Sequence, residues 1–320
     1  MGMITTTGVL PAPVQQRFDM KLLSRIVPEC IHNVMALKKR LPERSGSILR
    51  MRRYNNLQTA TVPLGPSGLN PPSQTLSALD IDAKVNWYGT YVLITDQVSL
   101  INEDPVLNET ASLLAQSLRE TEDQLTRDML NATATVINCT GGTNGDNPTN
   151  ISYQDIVGII RTLATNNAKR ITDGIEAQDK FGTGPVRQAW FAMGHTDLIP
   201  SLEGIQQFQN VANYPSQMNI LQSEWGSISN IRFLLSSIAT KIVQGSAQGN
   251  NLYSVYITGQ ESYGTIDLDG ASASFIYRPL GYGDDPLLLR QSCGFKFANA
   301  QRILNDQWII NMRCTTSQQY

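Results

Sequence analysis

The stretch NEDPVLNETASLLAQSLRETEDQLTRDML, which runs from Asn102 to Leu130, decides how the rest of the chain can be organised. It offers a helix cap at Asp104, a proline suited to the first helical turn at Pro105, and no glycine. Its apolar residues recur at near-heptad spacing as one narrow stripe: Leu107, Ala111, Leu114, Leu118, Leu125 and Met129. The pattern predicts a helix from Asp104 to Leu130, about 40 Å long, that packs along a single line.

Two strand patterns precede this helix and enclose a segment rich in proline, glycine and serine. The first pattern runs from Ser47 to Val62 and the second from Leu79 to Thr95. Alternate residues of the second pattern are apolar: Leu79, Ile81, Ala83, Val85 and Trp87. Since a two-stranded ribbon is marginally stable alone, we expect it to lie on another surface, either of a neighbouring copy or of its own domain. We expect the long helix to lie along the base of this ribbon.

The remaining segments predict a mixed α+β body. Residues 1–17 have little to pack, the next apolar spacing predicts a helix from Phe18 to Ile26, and residues 38–46 read as a basic turn. Ser152 is predicted to cap a helix whose inward residues are Ile156, Ile159, Ile160 and Leu163. Strands are predicted in VRQAWFAMG (186–194), IRFLLSS (231–237), LYSVYIT (252–258) and GASASFIYRP (270–279), and long antiparallel strands in CGFKFANAQRILNDQWIINMRC (293–314).

Charge is distributed unevenly along the chain. Residues 1–54 contain ten basic and three acidic residues, a balance of +7, and residues 80–130 contain ten acidic and three basic residues, a balance of −7. These regions either attract each other, within one chain or between copies, or are ordinary solvated faces. The basic cluster of Arg50, Arg52 and Arg53 would meet either phosphate groups or the acidic residues of a neighbouring copy.

Motifs that carry catalytic chemistry are scarce. His195 follows a predicted strand, where it either caps the next turn, which we expect to begin near Thr196, or serves a hydrolase together with Asp197. The cysteines are isolated and read as reduced, buried small residues: Cys30, Cys139, Cys293 and Cys314. We expect no metal site and no cofactor. No apolar run reaches membrane-spanning length, which predicts a soluble protein made in a reducing compartment.

The order of these elements resembles the Hong Kong 97-type fold of the major capsid proteins of tailed double-stranded DNA phages. FDMKLLSRIVPECIHNVMALKKRLPERSGSILRMRRYNNL (18–57) is similar to the arm helix entering the extended loop of that family. VNWYGTYVLITDQVSLINEDPVLNETASLLAQSLRETEDQLTRDML (85–130) is similar to the loop's return strand and the spine helix. GFKFANAQRILNDQWIINMRC (294–314) is similar to the closing strands of the peripheral domain.

The resemblance implies a division of the chain into five parts. Residues 1–44 would be an N-terminal arm with short helices, and residues 45–79 the extended loop, a β-hairpin. Residues 80–135 would form the peripheral domain with the spine helix, 136–285 an axial α/β domain, and 286–320 return strands of the peripheral domain.

The resemblance also implies a structural protein without enzymatic activity. Its copies would assemble as pentamers and hexamers into an icosahedral shell that encloses double-stranded DNA without sequence specificity. The protein would be made in the cytoplasm of a bacterial host, reside in the virion, contact no membrane, and work with separate scaffolding, portal and cement proteins. The extended loop would lie over an adjacent subunit, and the candidates for inter-subunit contact are Arg50, Arg52, Arg53, Leu79, Ile81, Trp87, Glu120, Glu122 and Asp123.

Two departures from the family pattern matter. Some relatives join subunits by an isopeptide bond from a loop lysine, but this chain has no lysine between Tyr54 and Ala83, so we expect a shell held without that bond. Some relatives carry an N-terminal scaffolding segment, whereas the fold signals here begin near Phe18, so we expect a separate scaffold. Two alternatives remain: the shell of a bacterial nanocompartment with the same fold, and a soluble hydrolase that uses His195.

Overall fold

The computed structural model describes residues 27–61, 73–101, 106–133, 135–140, 147–171, 188–214, 220–246, 249–270, 273–281 and 287–316. The α-helices are α1 (Asp96–Ile101), α2 (Val106–Asn131), α3 (Tyr153–Thr165) and α4 (Ile199–Glu203). The strands are β1 (Leu37–Leu41), β2 (Ile48–Tyr54), β3 (Ala78–Lys84), β4 (Asn86–Thr95), β5 (Val136–Asn138), β6 (Trp190–His195), β7 (Gln209–Asn210), β8 (Glu224–Ile228), β9 (Ile231–Ser236), β10 (Lys241–Ile242), β11 (Leu252–Thr258), β12 (Tyr263–Leu268), β13 (Ser274–Arg278), β14 (Arg290–Ile303) and β15 (Ile309–Cys314).

A five-stranded sheet is built around β14. This strand pairs antiparallel with β4 over Arg290–Asn299, with β13 and with β12, and β1 joins β12 in parallel. β1 replaces much of the expected basic turn, and β12 was not predicted. Both strands are short, and β1 pairs with a segment more than two hundred residues away, so neither leaves a strong local pattern.

Helix α2 lies on one face of this sheet. Its apolar side chains pack with Ile94 of β4 and with Cys293, Phe295 and Phe297 of β14, and Leu114 is the buried centre of the stripe. The long helix is therefore confirmed. It packs on β4, which is the base of the predicted return strand, but the C-terminal strand β14 supplies most of its surface, and the ribbon strands β2 and β3 contribute no side chain to this cluster. The predicted cap falls in residues 102–105, outside the described residues.

The two-stranded ribbon is confirmed as the antiparallel pair β2–β3, but it is shorter than predicted. Residues 55–61 form no strand, and Asn86–Thr95 of the predicted return strand form β4, which pairs with β14 and not with the first ribbon strand. The tip of the ribbon at residues 62–72 lies outside the described residues. The ribbon's base rests on the sheet face opposite α2, where Ala83 and Val85 pack with Ile266, Ala298 and Ala300. The base of the ribbon therefore packs on its own domain, which is one of the two alternatives that the sequence left open.

An eight-stranded sheet forms the larger core. Its order is β5-β15-β11-β6-β9-β8-β7, with β10 beside β11. Helices α3 and α4 bury apolar residues against one face, and the other face packs on Ile31, Met35 and Leu130. The predicted strands in residues 186–194, 231–237, 252–258 and 270–279 are confirmed as β6, β9, β11 and β13. The predicted C-terminal strands are also present, but β15 joins this second sheet instead of continuing the sheet of β14.

Helix α3 forms where its local sequence predicts it. The hydroxyl of Ser152 accepts a hydrogen bond from the backbone N–H of Asp155, and the Asp155 carboxylate accepts one from the backbone of Ser152. Ile156, Ile159 and Leu163 are buried as expected. The predicted helix at Phe18–Ile26 lies outside the described residues. Within the part of the chain that the structure describes, no helix is long and apolar enough to cross a membrane.

Candidate assembly surface

A ladder of ion pairs crosses one face of the ribbon. Arg50 donates from Nε and Nη2 to the carboxylate of Asp82, at 2.7 and 2.9 Å, and Arg52 does the same to Asp80, at 2.7 and 3.0 Å. These hydrogen bonds hold the pKa of both carboxyl groups below the usual range and raise the pKa of both guanidinium groups. The partners of Arg50 and Arg52 are thus acidic residues of the same ribbon. The expected attraction between the basic and acidic regions therefore occurs within one chain, whereas the phosphate groups or neighbouring acids expected for the cluster itself are not the partners of these two side chains.

The opposite face of the ribbon is apolar, and its exposure rises towards the tip. Leu79, Ile81 and Ala83 share this face, as the alternation predicted. Ala83 at the base is 2% exposed, Ile81 is half-buried, and Leu79 is 46% exposed. Arg53 pairs with Leu79 across the ribbon, so its side chain lies on the same uncovered distal part of this face. The chain's own sheet therefore covers the base of this face and leaves its distal part open.

The second open surface is the part of the sheet face opposite α2 that the base of the ribbon does not cover. Side chains at alternate positions of β4 stand out from it, with Tyr91 69% and Leu93 55% exposed and Trp87 also exposed. The ammonium group of Lys296 on β14 lies 5.8 Å from the centroid of the Trp87 ring. An apolar patch of this kind on one sheet face is typical of a protein contact surface.

Glycines form the floor of this face. Gly89 of β4 and Gly294 of β14 lie on adjacent strands, two residues apart in register, because Gly89 pairs with Lys296 and Gly294 with Tyr91. A Cβ at Gly89 would lie 2.6 Å from the carbonyl oxygen of Phe295, so only glycine allows this close approach. The groove above the two glycines has a volume of about 560 Å³, and Arg278 and Arg290 line it together with Tyr91 and Ile276.

The acidic candidates on α2 divide into three environments. Glu120 is partly buried and accepts a hydrogen bond from Gln116 at 2.8 Å. Burial, reinforced by Asp267, raises the pKa of Glu122 to about 7. Asp123 is 1% exposed and bonds to the chain's own His32, so it has no surface left for a neighbouring subunit. Asp123 is therefore removed from the contact candidates.

His195 acts as a cap. Its Nδ1 accepts a hydrogen bond from the backbone N–H of Asp197 at 3.1 Å, at the start of a 3-10 turn over Thr196–Leu198. The cap is one residue earlier than expected. Asp197 Oδ2 accepts from Lys241 Nζ at 2.7 Å and from the Tyr253 hydroxyl at 2.8 Å.

The surroundings of His195 do not favour hydrolysis. Burial lowers the pKa of His195, which keeps the ring neutral and suited to accept the capping bond. In the described segments no serine, threonine or cysteine side chain is hydrogen-bonded to this ring. The same segments contain no group of three or more histidine, cysteine, aspartate or glutamate side chains arranged to hold a metal ion.

Sequence reasoning missed two features of these surfaces. Tyr91 and Leu93 were not singled out, although the same two-residue alternation that selected Trp87 continues through both. The buried pair of Arg232 and Glu224, which share two hydrogen bonds on adjacent strands, was also missed. No pattern in the sequence marks that pair, because eight residues and a strand turn separate its members.

Comparison with known proteins gives one family and one fold. A family model described as phage capsid protein matches residues 78–284, which is more than half of the chain. No curated protein sequence matches significantly.

Solved capsid structures share the fold at low sequence identity. The capsid of cyanophage P-SCSP1u aligns with a TM-score of 0.66 at 14% identity, covering 98% of this chain and 96% of that one. The capsid of Ralstonia phage GP4 aligns with a TM-score of 0.65 at 10% identity, covering 100% of each chain. The head structure of Helicobacter pylori bacteriophage KHP40 aligns with a TM-score of 0.64 at 10% identity, covering 98% of each chain.

Proposed function

This chain belongs to the phage capsid protein family, and from that premise we propose that its copies form pentamers and hexamers of an icosahedral shell around double-stranded DNA. The protein acts as a structural subunit and not as an enzyme. It is made in the cytoplasm of a bacterial host and works with separate scaffolding, portal and cement proteins. Residues 1–44 serve as the arm and 45–79 as the extended loop. The five-stranded sheet with α2 serves as the peripheral domain and the eight-stranded sheet with α3 and α4 as the axial domain. This assignment moves β12 and β13 from the expected axial part (136–285) to the peripheral domain, and β15 from the expected peripheral part (286–320) to the axial domain.

The open distal face of the ribbon carries this proposal. The apolar face that begins at buried Ala83 continues to exposed Leu79, where nothing in the described part of the chain covers it. A second apolar surface, with Tyr91 and Leu93, stays open on the sheet. We assign the two surfaces to each other in adjacent copies, because burying both removes apolar area from water without changing the fold.

The charged side chains take different roles in this arrangement. Arg50 and Arg52 hold the ribbon in register through Asp82 and Asp80, and Arg53, on the apolar face, is the member of the basic cluster that meets a neighbouring copy. Ile81, Trp87, Glu120 and Glu122 remain proposed contact residues. DNA is held by charge without reading of its sequence.

Mass and shape in solution test the proposal directly. Light scattering on the purified chain, followed by electron microscopy of the same sample, should find megadalton particles of uniform diameter with icosahedral outline. A chain that stays a 35.3 kDa monomer at all concentrations and salts, even with a scaffolding protein, would contradict it. Nucleic acid recovered from particles made in the host separates a DNA-filled capsid from a nanocompartment shell.

A matched pair of variants tests the assigned contact. Leu79→Asp places a charge on the open ribbon face, whereas Val243→Asp places one at an exposed turn of the eight-stranded sheet. We expect Leu79→Asp to abolish particles while the subunit stays folded by circular dichroism, and Val243→Asp to assemble. If both variants assemble equally well, the distal face of the ribbon is not part of the interface between subunits.

A further inference from the structure

Two thiols face each other across adjacent strands of the eight-stranded sheet. Cys139 follows β5 directly, and Cys314 is the last residue of β15. The strands run parallel with Asn138 opposite Arg313, so the next step of the register places Cys139 opposite Cys314. The backbone N–H of Cys139 donates to the carbonyl of Arg313 at 2.9 Å, which continues the ladder to this position.

Their surroundings hold the two thiols together. Both side chains are completely buried in the apolar cluster under α3, on the same side of the sheet. The Cys314 thiol is close enough to raise the pKa of the Cys139 thiol. The Cys314 thiol donates a hydrogen bond to the carbonyl oxygen of Tyr253 at 3.8 Å. Adjacent strands are about 4.8 Å apart, which falls within the Cα separations that disulfides span.

The other two cysteines lack such a partner. Cys30 is partly exposed near α2, and Cys293 is buried between α2 and the five-stranded sheet. Within the described residues neither is hydrogen-bonded to another thiol. Within the described residues, Cys139 and Cys314 are thus the two cysteines placed opposite each other on adjacent strands.

We propose that Cys139 and Cys314 form an oxidisable pair that a peroxide converts to an intrachain disulfide. The thiolate of one cysteine attacks a peroxide oxygen and becomes a sulfenic acid, releasing one water after proton uptake. The thiol of the other gives up its proton and attacks the sulfenic sulfur, which forms the S–S bond and releases a second water. Two thiols and one hydrogen peroxide thus give one disulfide and two waters.

The link would fasten the C-terminal strand to the start of the segment that leads into α3. It would close a loop from residue 139 to residue 314, and such long loops are where cross-links restrict the unfolded chain most. The neighbouring Cys314 thiol and burial together raise the pKa of the Cys139 thiol, so oxidation proceeds slowly in the folded protein. That the disulfide would stabilise a shell outside the host cell rests on the proposed function, whereas the formation of the disulfide does not.

The test uses the full-length, unassembled chain treated with hydrogen peroxide without denaturant. Peptide mapping under non-reducing conditions should recover Cys139 and Cys314 in one linked species that has lost two hydrogen atoms. The oxidised chain should unfold several degrees higher than the reduced chain. Cys139→Ser and Cys314→Ser should each lose both effects, and Cys30→Ala should keep them.

Two results would overturn the proposal. One is recovery of the Cys139 and Cys314 peptides unlinked after Cys30 has been fully oxidised. The other is a link that appears only after the chain has been unfolded. Because both are read on unassembled chains, a failure of particle assembly leaves this result unaffected.

Discussion

The carboxylate of Asp123, in the middle of α2, accepts hydrogen bonds from both the backbone N–H and the ring Nδ1–H of His32, each at 2.7 Å. The backbone N–H of Asn33 donates to the same carboxylate at 3.2 Å, and the hydroxyl of Tyr263 donates to the His32 carbonyl at 2.6 Å. These bonds join the segment before β1 to the helix and to the five-stranded sheet. They tie the N-terminal part of the chain to the centre of the fold.

Asp123→Asn should therefore destabilise the subunit strongly. An amide can still accept one of the backbone bonds, but it leaves the buried His32 ring without its charged acceptor, which costs about 2–4 kcal/mol. Urea unfolding followed by circular dichroism measures the loss. Asp128→Asn, on the same helix but with an exposed side chain, should change the free energy of unfolding by less than about 0.5 kcal/mol. Equal effects of the two substitutions would contradict a structural role for the His32 contact.

The pH dependence of stability should carry a signature of Glu122. Burial and the nearby carboxyl of Asp267 raise its pKa from 4.5 to about 7 in the folded state, against the opposing effects of Lys38 and Arg119. Since the folded state then binds the proton more tightly than the unfolded state, ionisation favours unfolding. The stabilisation that the protonated Glu122 side chain contributes to the folded state is fully present below pH 4.5 and is lost as the pH rises to about 7. Burial also raises the pKa of Asp267, which acts in the same direction.

The substitution Glu122→Gln isolates this effect. We expect the variant to be at least as stable as the wild type at pH 8 and to lose less stability than the wild type between pH 5 and pH 8. Melting temperatures of both proteins across that range supply the comparison. Glu120→Gln, two residues earlier on α2, is the matched control and should follow the wild-type curve. A Glu122→Gln curve parallel to the wild type would mean that the carboxyl ionises as it does in water.

Short-range features of this fold were predictable, and long-range partners were not. The helix capped by Ser152 was predicted because its cap and its apolar spacing both lie within one short, continuous segment. Strand β1 was missed because LKKRL carries three charges and is specified by pairing with β12. Likewise the alternation of residues 309–314 predicts a strand, but it does not say which sheet that strand joins.

The same limit applies to the candidate surfaces. The apolar face of the ribbon followed from a period of two, which the backbone of a strand imposes locally. Whether Asp123 pointed outwards depended on His32, ninety-one residues away, and helical spacing holds no information about that contact. Likewise, Asp80 and Asp82 became the partners of Arg52 and Arg50 only through the register of the ribbon.

Two glycines should respond in opposite ways to alanine. At Gly89 the new Cβ would lie 2.6 Å from the backbone oxygen of Phe295, so β4 and β14 must separate, at a cost of about 1–3 kcal/mol. At Gly158, on α3, a Cβ meets open space, and the better helix propensity should stabilise the protein by about 0.5–1 kcal/mol. Chemical unfolding of both variants measures these changes. A Gly89→Ala variant as stable as the wild type would show that the strands can separate without loss.

The ion-pair ladder of the ribbon should matter for assembly and not for folding. Because the Arg52–Asp80 pair is exposed, solvent screens it, and Arg52→Asp should leave the melting temperature of the subunit nearly unchanged. The substitution nevertheless sets a second carboxylate directly opposite Asp80, and this repulsion should separate the strands of the ribbon and slow particle formation in light scattering. The double variant Arg52→Asp, Asp80→Arg restores opposite charges across the ribbon and should recover the assembly rate. If the double variant folds but still fails to assemble, the side chains themselves contact a neighbouring copy, and the ladder's role in holding register is rejected.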